Sequence, residues 1–121
     1  MRFIKTKTHG VLDYLVGIIL IAAPWIFGFA TGGPEQVVPI VIGILMIGMA
    51  LLTDYEYGAI KAIPMPFHLT MDVIAGIFLA ISPWLLGYAE IVFLPHLLVG
   101  IVEVFVALTT YKVPDYKTVT H

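Results

Sequence analysis

The chain has no cysteine. That excludes disulfides, thiolate catalysis, iron–sulfur clusters and Cys-ligated zinc. It is also poor in charge: 12% of its 121 residues are Asp, Glu, Lys or Arg, where soluble domains carry about 25%. The net charge of −2 is small, and the six basic residues lie toward the chain ends and one central stretch. Neither feature suits a nucleic-acid-binding face. The sequence offers no activated nucleophile, no oxyanion motif and no complete metal signature, so an enzyme is not expected.

Apolar side chains fill the space that charge leaves. Hydrophobic residues make up 60% of the sequence, against about 45–50% in soluble domains. A helix crossing a hydrocarbon core of about 30 Å needs roughly 20 mostly apolar residues. Four segments reach or approach that length, at about 10–29, 37–54, 68–88 and 91–110. The second and fourth are the shorter pair, and Tyr55 and Tyr111 at their ends suit the membrane interface. The first segment follows a basic start (Arg2, Lys5, Lys7), as a signal peptide would. Its apolar run continues through Pro24-Trp25-Ile26-Phe27, past any small-residue cleavage site, so it is expected to be retained.

The chain repeats itself. His9, Asp13, Gly17, Pro24, Trp25 and Gly28 recur as His68, Asp72, Gly76, Pro83, Trp84 and Gly87, all at the same 59-residue offset. The expected fold is therefore all-α and integral to the membrane, with four transmembrane helices arranged as two tandem hairpins. The predicted organisation is a first hairpin over 1–54, a linker over 55–67, a second hairpin over 68–111 and a tail over 112–121. The tail is too short and polar to form a domain and is expected to be mobile.

Lys and Arg concentrate in cytoplasmic segments. Arg2, Lys5, Lys7, Lys61, Lys112 and Lys117 fall in the two termini and the linker; the turns near 30–36 and 89–90 carry only Glu35 and Glu90. Both termini and the linker are thus expected inside. The hairpins then enter the membrane in the same sense, which predicts a pseudo-two-fold axis along the membrane normal rather than an inverted repeat. Within the linker, 58–63 suits one or two interfacial helical turns, stopped by Pro64 and Pro66.

Ser82-Pro83-Trp84, with Gly87 following, resembles the motif of the SPW-repeat family of bacterial and archaeal membrane proteins. The first copy departs by one residue, reading Ala23-Pro24-Trp25 with Gly28. The resemblance covers both hairpins. It implies a membrane location, here a prokaryotic plasma membrane, and a repeat architecture; it carries no activity.

Each proline removes a backbone donor and is expected to bend its helix near the outer third. Ser82 is placed to bond a carbonyl that Pro83 frees. Trp25 and Trp84 suit outer headgroup depth, and Gly28 and Gly87 mark either a close helix contact or a helix end. A kinked, anchored helix end is one account of the motif; a ligand vestibule beneath the bends is the other.

His9 and Asp13 are four residues apart and share a helix face, as do His68 and Asp72. Two readings compete. In one, aspartates in a first helical turn complement the dipole and pair with the histidines. In the other, the four residues meet near one axis and handle protons or a cation; as metal ligands they are weak candidates on spacing alone. Glu103 is a lone acid halfway along the fourth segment, on one stripe with His96 and Gly100. Met46 or Ile47 stands at the matching depth of the first repeat. An acid there is costly and must face protein or water, as a protonation switch or as a hydrogen-bonding seam.

The expected function is a structural or interaction module that associates with the bilayer and with further copies of itself or another membrane protein, without a cofactor. A proton- or cation-coupled small carrier or channel using Glu103, Asp13, Asp72 and the three histidines His9, His68 and His96 is the alternative.

Overall fold

A computed structural model describes residues 1–114. The expectation for the end of the tail lies outside the described residues. Four helices follow in order: α1 (Thr6–Ile26), α2 (Pro34–Leu52), α3 (Met65–Leu85) and α4 (Leu94–Thr109). The first three are long and apolar enough to cross a membrane, and α4 is a shorter apolar helix of 16 residues. The protein is an all-α bundle of the membrane type.

α1 packs along α2 and α3 along α4, with α2 and α3 also in contact. Small residues make the tight approaches. A Cβ on Gly43 would stand 2.6 Å from the Gly17 carbonyl oxygen, and one on Gly100 would stand 2.5 Å from that of Gly76. Helices in lipid gain from such backbone proximity because solvent exclusion no longer drives them together. Around these contacts Leu20, Val38, Ile42, Met46 and Leu79 form one buried cluster. Ala50, Tyr55, Met65, Leu69 and Ala107 form a second, at the end of the bundle where α1 and α3 begin. Large apolar side chains such as Ile18, Leu45, Ile74 and Phe105 point outward, where hydrocarbon is the solvent.

All four helix starts differ from the sequence expectation, α2 beginning at Pro34 rather than near 37. α1 and α3 begin earlier, at Thr6 and Met65, because the residues preceding them (Lys5 and Pro64) are extended and Pro66 tolerates the first turn, where no intrahelical donor is needed. α4 begins at Leu94 rather than near 91: the amides of Ile91 and Val92 close a turn onto the Tyr88 carbonyl, and Pro95 opens the helix. Residues 58–63 form no helix. Instead the amides of Ala59 and Ile60 bond the Leu51 carbonyl, and those of Ala62 and Ile63 bond Leu52. The linker thereby satisfies carbonyls that the C-terminus of α2 leaves free.

The N-terminal segment does the same for α4. Phe3 and Ile4 donate to the Thr109 carbonyl, and Tyr111 donates back to Ile4. Arg2 adds side-chain bonds to the carbonyls of Ala107 (3.1 Å) and Thr110 (2.7 Å). Its repeat partner Lys61 donates to Tyr55 (2.6 Å), just beyond α2. A cation at a helix C-terminus complements the dipole as well as the carbonyls. Both connections gather at one end of the bundle, so the N-terminus, the linker and the end of α4 lie together.

At the opposite end the prolines take a different role from the one expected. Pro24 and Pro83 sit in the last turn of α1 and α3, two residues before the final helical residue, so they precede termination rather than bend a continuing helix. Gly28 (φ 76°) and Gly87 (φ 78°) adopt the left-handed conformation, and the next amides, Phe29 and Tyr88, bond the Pro24 and Pro83 carbonyls at 2.8 and 2.7 Å. That is the six-residue closing bond of a Schellman cap. The Pro-Trp-x-x-Gly spacing is therefore a stop signal. The proline supplies an acceptor without needing a donor, the tryptophan faces outward, and the glycine takes the positive φ.

The serine of the motif has a specific partner. Pro83 lacks the N–H that would reach Leu79, and Ser82 Oγ donates to that carbonyl at 2.8 Å. The Tyr88 hydroxyl then donates to Ser82 Oγ at 2.5 Å. In the first copy both hydroxyls are missing together, as Ala23 and Phe29. Ser82→Ala alone should cost about 1–3 kcal/mol, because it strands a buried tyrosine hydroxyl. Adding Tyr88→Phe should recover much of that loss, by thermal unfolding of the single and double variants in detergent. A double variant as unstable as the sum of the singles would contradict the pairing.

Candidate functional site

Helical periodicity puts His9, Asp13 and Gly17 on one buried face of α1, and His68, Asp72 and Gly76 on the same face of α3. Where α1 and α3 face each other near the termini, the four polar side chains meet. His9 Nε2–H donates to Asp72 Oδ2 at 2.9 Å and lies 3.1 Å from Asp13 Oδ1. His68 Nε2 lies 3.0 Å from Asp72 Oδ2 and 3.2 Å from Asp13 Oδ2. Each histidine thus touches the aspartate of its own helix and the aspartate of the other. All four residues are buried, and one donor atom from each falls within 4.8 Å of the others.

The aspartates are not first-turn caps. No acid occupies the first turn of α1 or α3, and neither helix has a side-chain N-cap bond. The earlier helix starts move Asp13 and Asp72 into the second and third turns, out of reach of the free amides, so their charge is met by the histidines.

A second layer orients the rings. Thr53 Oγ donates to the Met49 carbonyl at 2.6 Å, and Thr110 Oγ donates to Val106 at 2.6 Å. A hydroxyl has one hydrogen, so each oxygen is left to accept. It accepts from a ring Nδ1–H: His68 to Thr53 at 2.6 Å, His9 to Thr110 at 2.9 Å. Both rings are held with Nδ1 outward and Nε2 toward the aspartates. Tyr55 closes one side, donating from its hydroxyl to Asp13 Oδ2 at 2.8 Å. Burial first, and then the Asp13 charge, push the Tyr55 phenol above its ordinary pKa, so it stays a donor.

Glu103 stands beside this tetrad. It lines a cavity of about 40 Å³ with His9, Asp13, Asp72, Met46 and Val99. It is buried, and neither carboxyl oxygen has a hydrogen-bond partner among the described residues. Met46 is the buried residue facing it from α2; Ile47 is only partly covered. The stripe His96, Gly100, Glu103 on α4 is buried as expected, but His96 does not join the tetrad. Two helical turns away, toward the capped ends of α1 and α3, its Nε2–H donates to the Glu35 carbonyl at 2.9 Å. Its ring lies against Phe29 and Tyr88, with centroids 5.1 and 5.2 Å away.

Ala23, Pro24, Trp25, Gly28 and their counterparts Ser82, Pro83, Trp84, Gly87 belong to the two Schellman ends and do not touch the tetrad. Gly28 and Gly87 have open space where a side chain would go, so their need is conformational. The sequence reading missed Thr53 and Thr110, and it placed Tyr55 at the membrane interface, whereas the ring is fully buried against the tetrad. The threonines do carry a signal, since Gly43, Ala50 and Thr53 recur as Gly100, Ala107 and Thr110 at one offset. That offset is shorter than the one relating α1 to α3, which hides it from a gapless comparison. Glu35 was also missed; it is buried, and accepts a hydrogen bond from the Thr31 hydroxyl.

Neither the curated proteins nor the solved structures contain a match to this sequence. The family model of the SPW repeat domain matches residues 7–110. With α1 to α4 almost entirely within that match and the whole tetrad inside it, the chain belongs to the SPW repeat family.

Proposed function

We propose that the chain is a structural or interaction module of a prokaryotic plasma membrane, not an enzyme. It is built as two tandem hairpins related by an axis along the membrane normal, with both termini and the linker cytoplasmic. The observation that carries this reading is the buried tetrad: His9–Asp72 and His68–Asp13 join one hairpin to the other at 2.9 and 3.2 Å. Ionisable groups at that depth are expensive singly and tolerable as a set of opposite charges in contact. The set works as a clasp that fixes one hairpin against the other. It leaves the outward apolar faces for lipid and for further copies of the chain. Matching end contacts in the two halves support the tandem arrangement, and the gathering of Arg2, Lys5, Lys7, Lys61 and Lys112 at one end supports the orientation.

Glu103 favours a second reading, a proton- or cation-coupled carrier. Its unpartnered carboxyl in a cavity beside Asp13, Asp72 and His9 is the arrangement a relay needs. Two measurements separate the readings. Under the structural one, the purified chain in liposomes conducts protons no faster than protein-free vesicles, and native mass spectrometry after gentle extraction finds a dimer or larger. Flux above that background, lost in Glu103→Gln with helicity intact, would put the carrier in its place. For orientation, the cysteine-free chain allows single-site labelling: Ala30→Cys should react with an impermeant thiol reagent from outside the cell, and Ala59→Cys only after lysis.

A further inference from the structure

We propose that the tetrad of His9, Asp13, His68 and Asp72 is a binding site for one divalent transition-metal ion of the zinc class. Two imidazole nitrogens and two carboxylate oxygens, one from each residue, lie within 4.8 Å of one another between α1 and α3. That N2O2 set is a four-coordinate donor set for zinc, and it lacks the six or more oxygens that calcium or magnesium requires.

The donor separations fit. Asp72 Oδ2 lies 2.9 and 3.0 Å from the two Nε2 atoms, while Asp13 reaches His9 through Oδ1 at 3.1 Å and His68 through Oδ2 at 3.2 Å. Ligands at about 2.0–2.1 Å on a tetrahedron stand roughly 3.3 Å apart; the His–Asp separations are within a few tenths of an ångström of that, and every donor pair of the set lies within 4.8 Å, so small side-chain rotations complete the site. The second layer has the pattern that metal-binding histidines require, in which the remote ring nitrogen donates to a fixed acceptor and the near one faces the ion. Thr53 and Thr110 are those acceptors, each committed by its own bond to a helix carbonyl.

An independent sign comes from His68. Its side chain is 1% exposed, yet Nε2, aimed between the two aspartates, makes no hydrogen bond of acceptable geometry. A buried nitrogen in that position is at a ligand point rather than in a finished hydrogen-bond network. Charge closes the account. With a proton on each Nε2, two imidazolium rings balance two carboxylates. When a divalent ion enters, both Nε2 protons leave to water, and two neutral rings plus two carboxylates balance the ion. Either state is neutral as a whole, so the site exchanges two protons for one metal without leaving net charge in the membrane. The metal goes beyond the clasp: a chain that binds none still has its hairpins joined by the proton-bearing tetrad.

The test uses the full tag-free chain in detergent, stripped with a chelator and then dialysed against Zn²⁺. Bound metal is read by elemental mass spectrometry and affinity by competition with a chelating dye. One Zn²⁺ per chain is expected, unaffected by excess Mg²⁺. Asp72→Asn should abolish binding. Because that variant could unfold, Thr53→Val and Thr110→Val serve beside it, with helicity checked by circular dichroism. Each should weaken Zn²⁺ binding 10–100-fold while the helices remain, and Thr53→Ser, which restores the hydroxyl, should bind as the original does. A folded chain that takes up less than one equivalent would overturn the assignment. So would stoichiometric binding that Asp72→Asn and both valine variants leave unchanged, since the metal would then sit elsewhere.

Discussion

Asp72→Ala should be among the most damaging single substitutions in this chain, lowering stability by about 3–5 kcal/mol. Asp72 Oδ2 lies 2.9 Å from His9 Nε2 and 3.0 Å from His68 Nε2, so one deletion strands two buried rings. Asp13 cannot take over both. It already accepts from Tyr55 at 2.8 Å, and its own contacts to the histidines are the longer ones, 3.1 and 3.2 Å. The uncompensated charge either stays in a low-dielectric interior or is lost with its proton, and neither route restores the link between hairpins. Thermal unfolding in detergent, under conditions where the original chain refolds, reads the effect. Asp72→Asn should fall between the two, because it keeps the shape and one acceptor. An alanine variant that melts with the original would mean that the tetrad contributes nothing to holding the bundle.

Gly100→Ala should also be costly, by about 1–3 kcal/mol or more, although it adds a single methyl group. That methyl would sit 2.5 Å from the Gly76 carbonyl oxygen and 2.6 Å from the Ala80 amide nitrogen. These are backbone atoms that cannot rotate away, so α3 and α4 must separate along their length. Separation would also loosen Glu103, one turn further along the same face. Gly48→Ala is the control. Beyond its own stretch of helix, no described atom stands within 4 Å of its added Cβ, and alanine is the better helix former by about 1 kcal/mol, so it should be neutral or stabilising. Equal behaviour of the two variants would refute the close-approach argument, whichever direction both moved.

Much of this protein could be read without coordinates, for reasons that are local. Membrane class follows from apolar content, since the energy of crossing hydrocarbon is a sum over residues and depends little on their partners. The His/Asp faces follow from helical periodicity. Boundaries were less legible because they depend on which groups satisfy the free ends of each helix. Residues 58–63 were expected to form one or two helical turns and instead pair with the carbonyls of Leu51 and Leu52. The prolines were expected to bend helices and instead prepare their termination.

The sequence by itself determined that the chain is an all-α membrane protein of the SPW type, with His9, Asp13, His68, Asp72 and Glu103 on inward faces. Only the tertiary structure decided that the two His/Asp pairs form one set, that threonines from the ends of α2 and α4 orient the rings, and that His96 stands apart from Glu103's cavity. The physical reason is distance along the chain. His9 and Asp13 are neighbours through one helical turn, which the sequence states. His9, Asp72 and Thr110 become neighbours only because glycine contacts hold α1 to α2 and α3 to α4, and because the N-terminal segment is bonded to the end of α4.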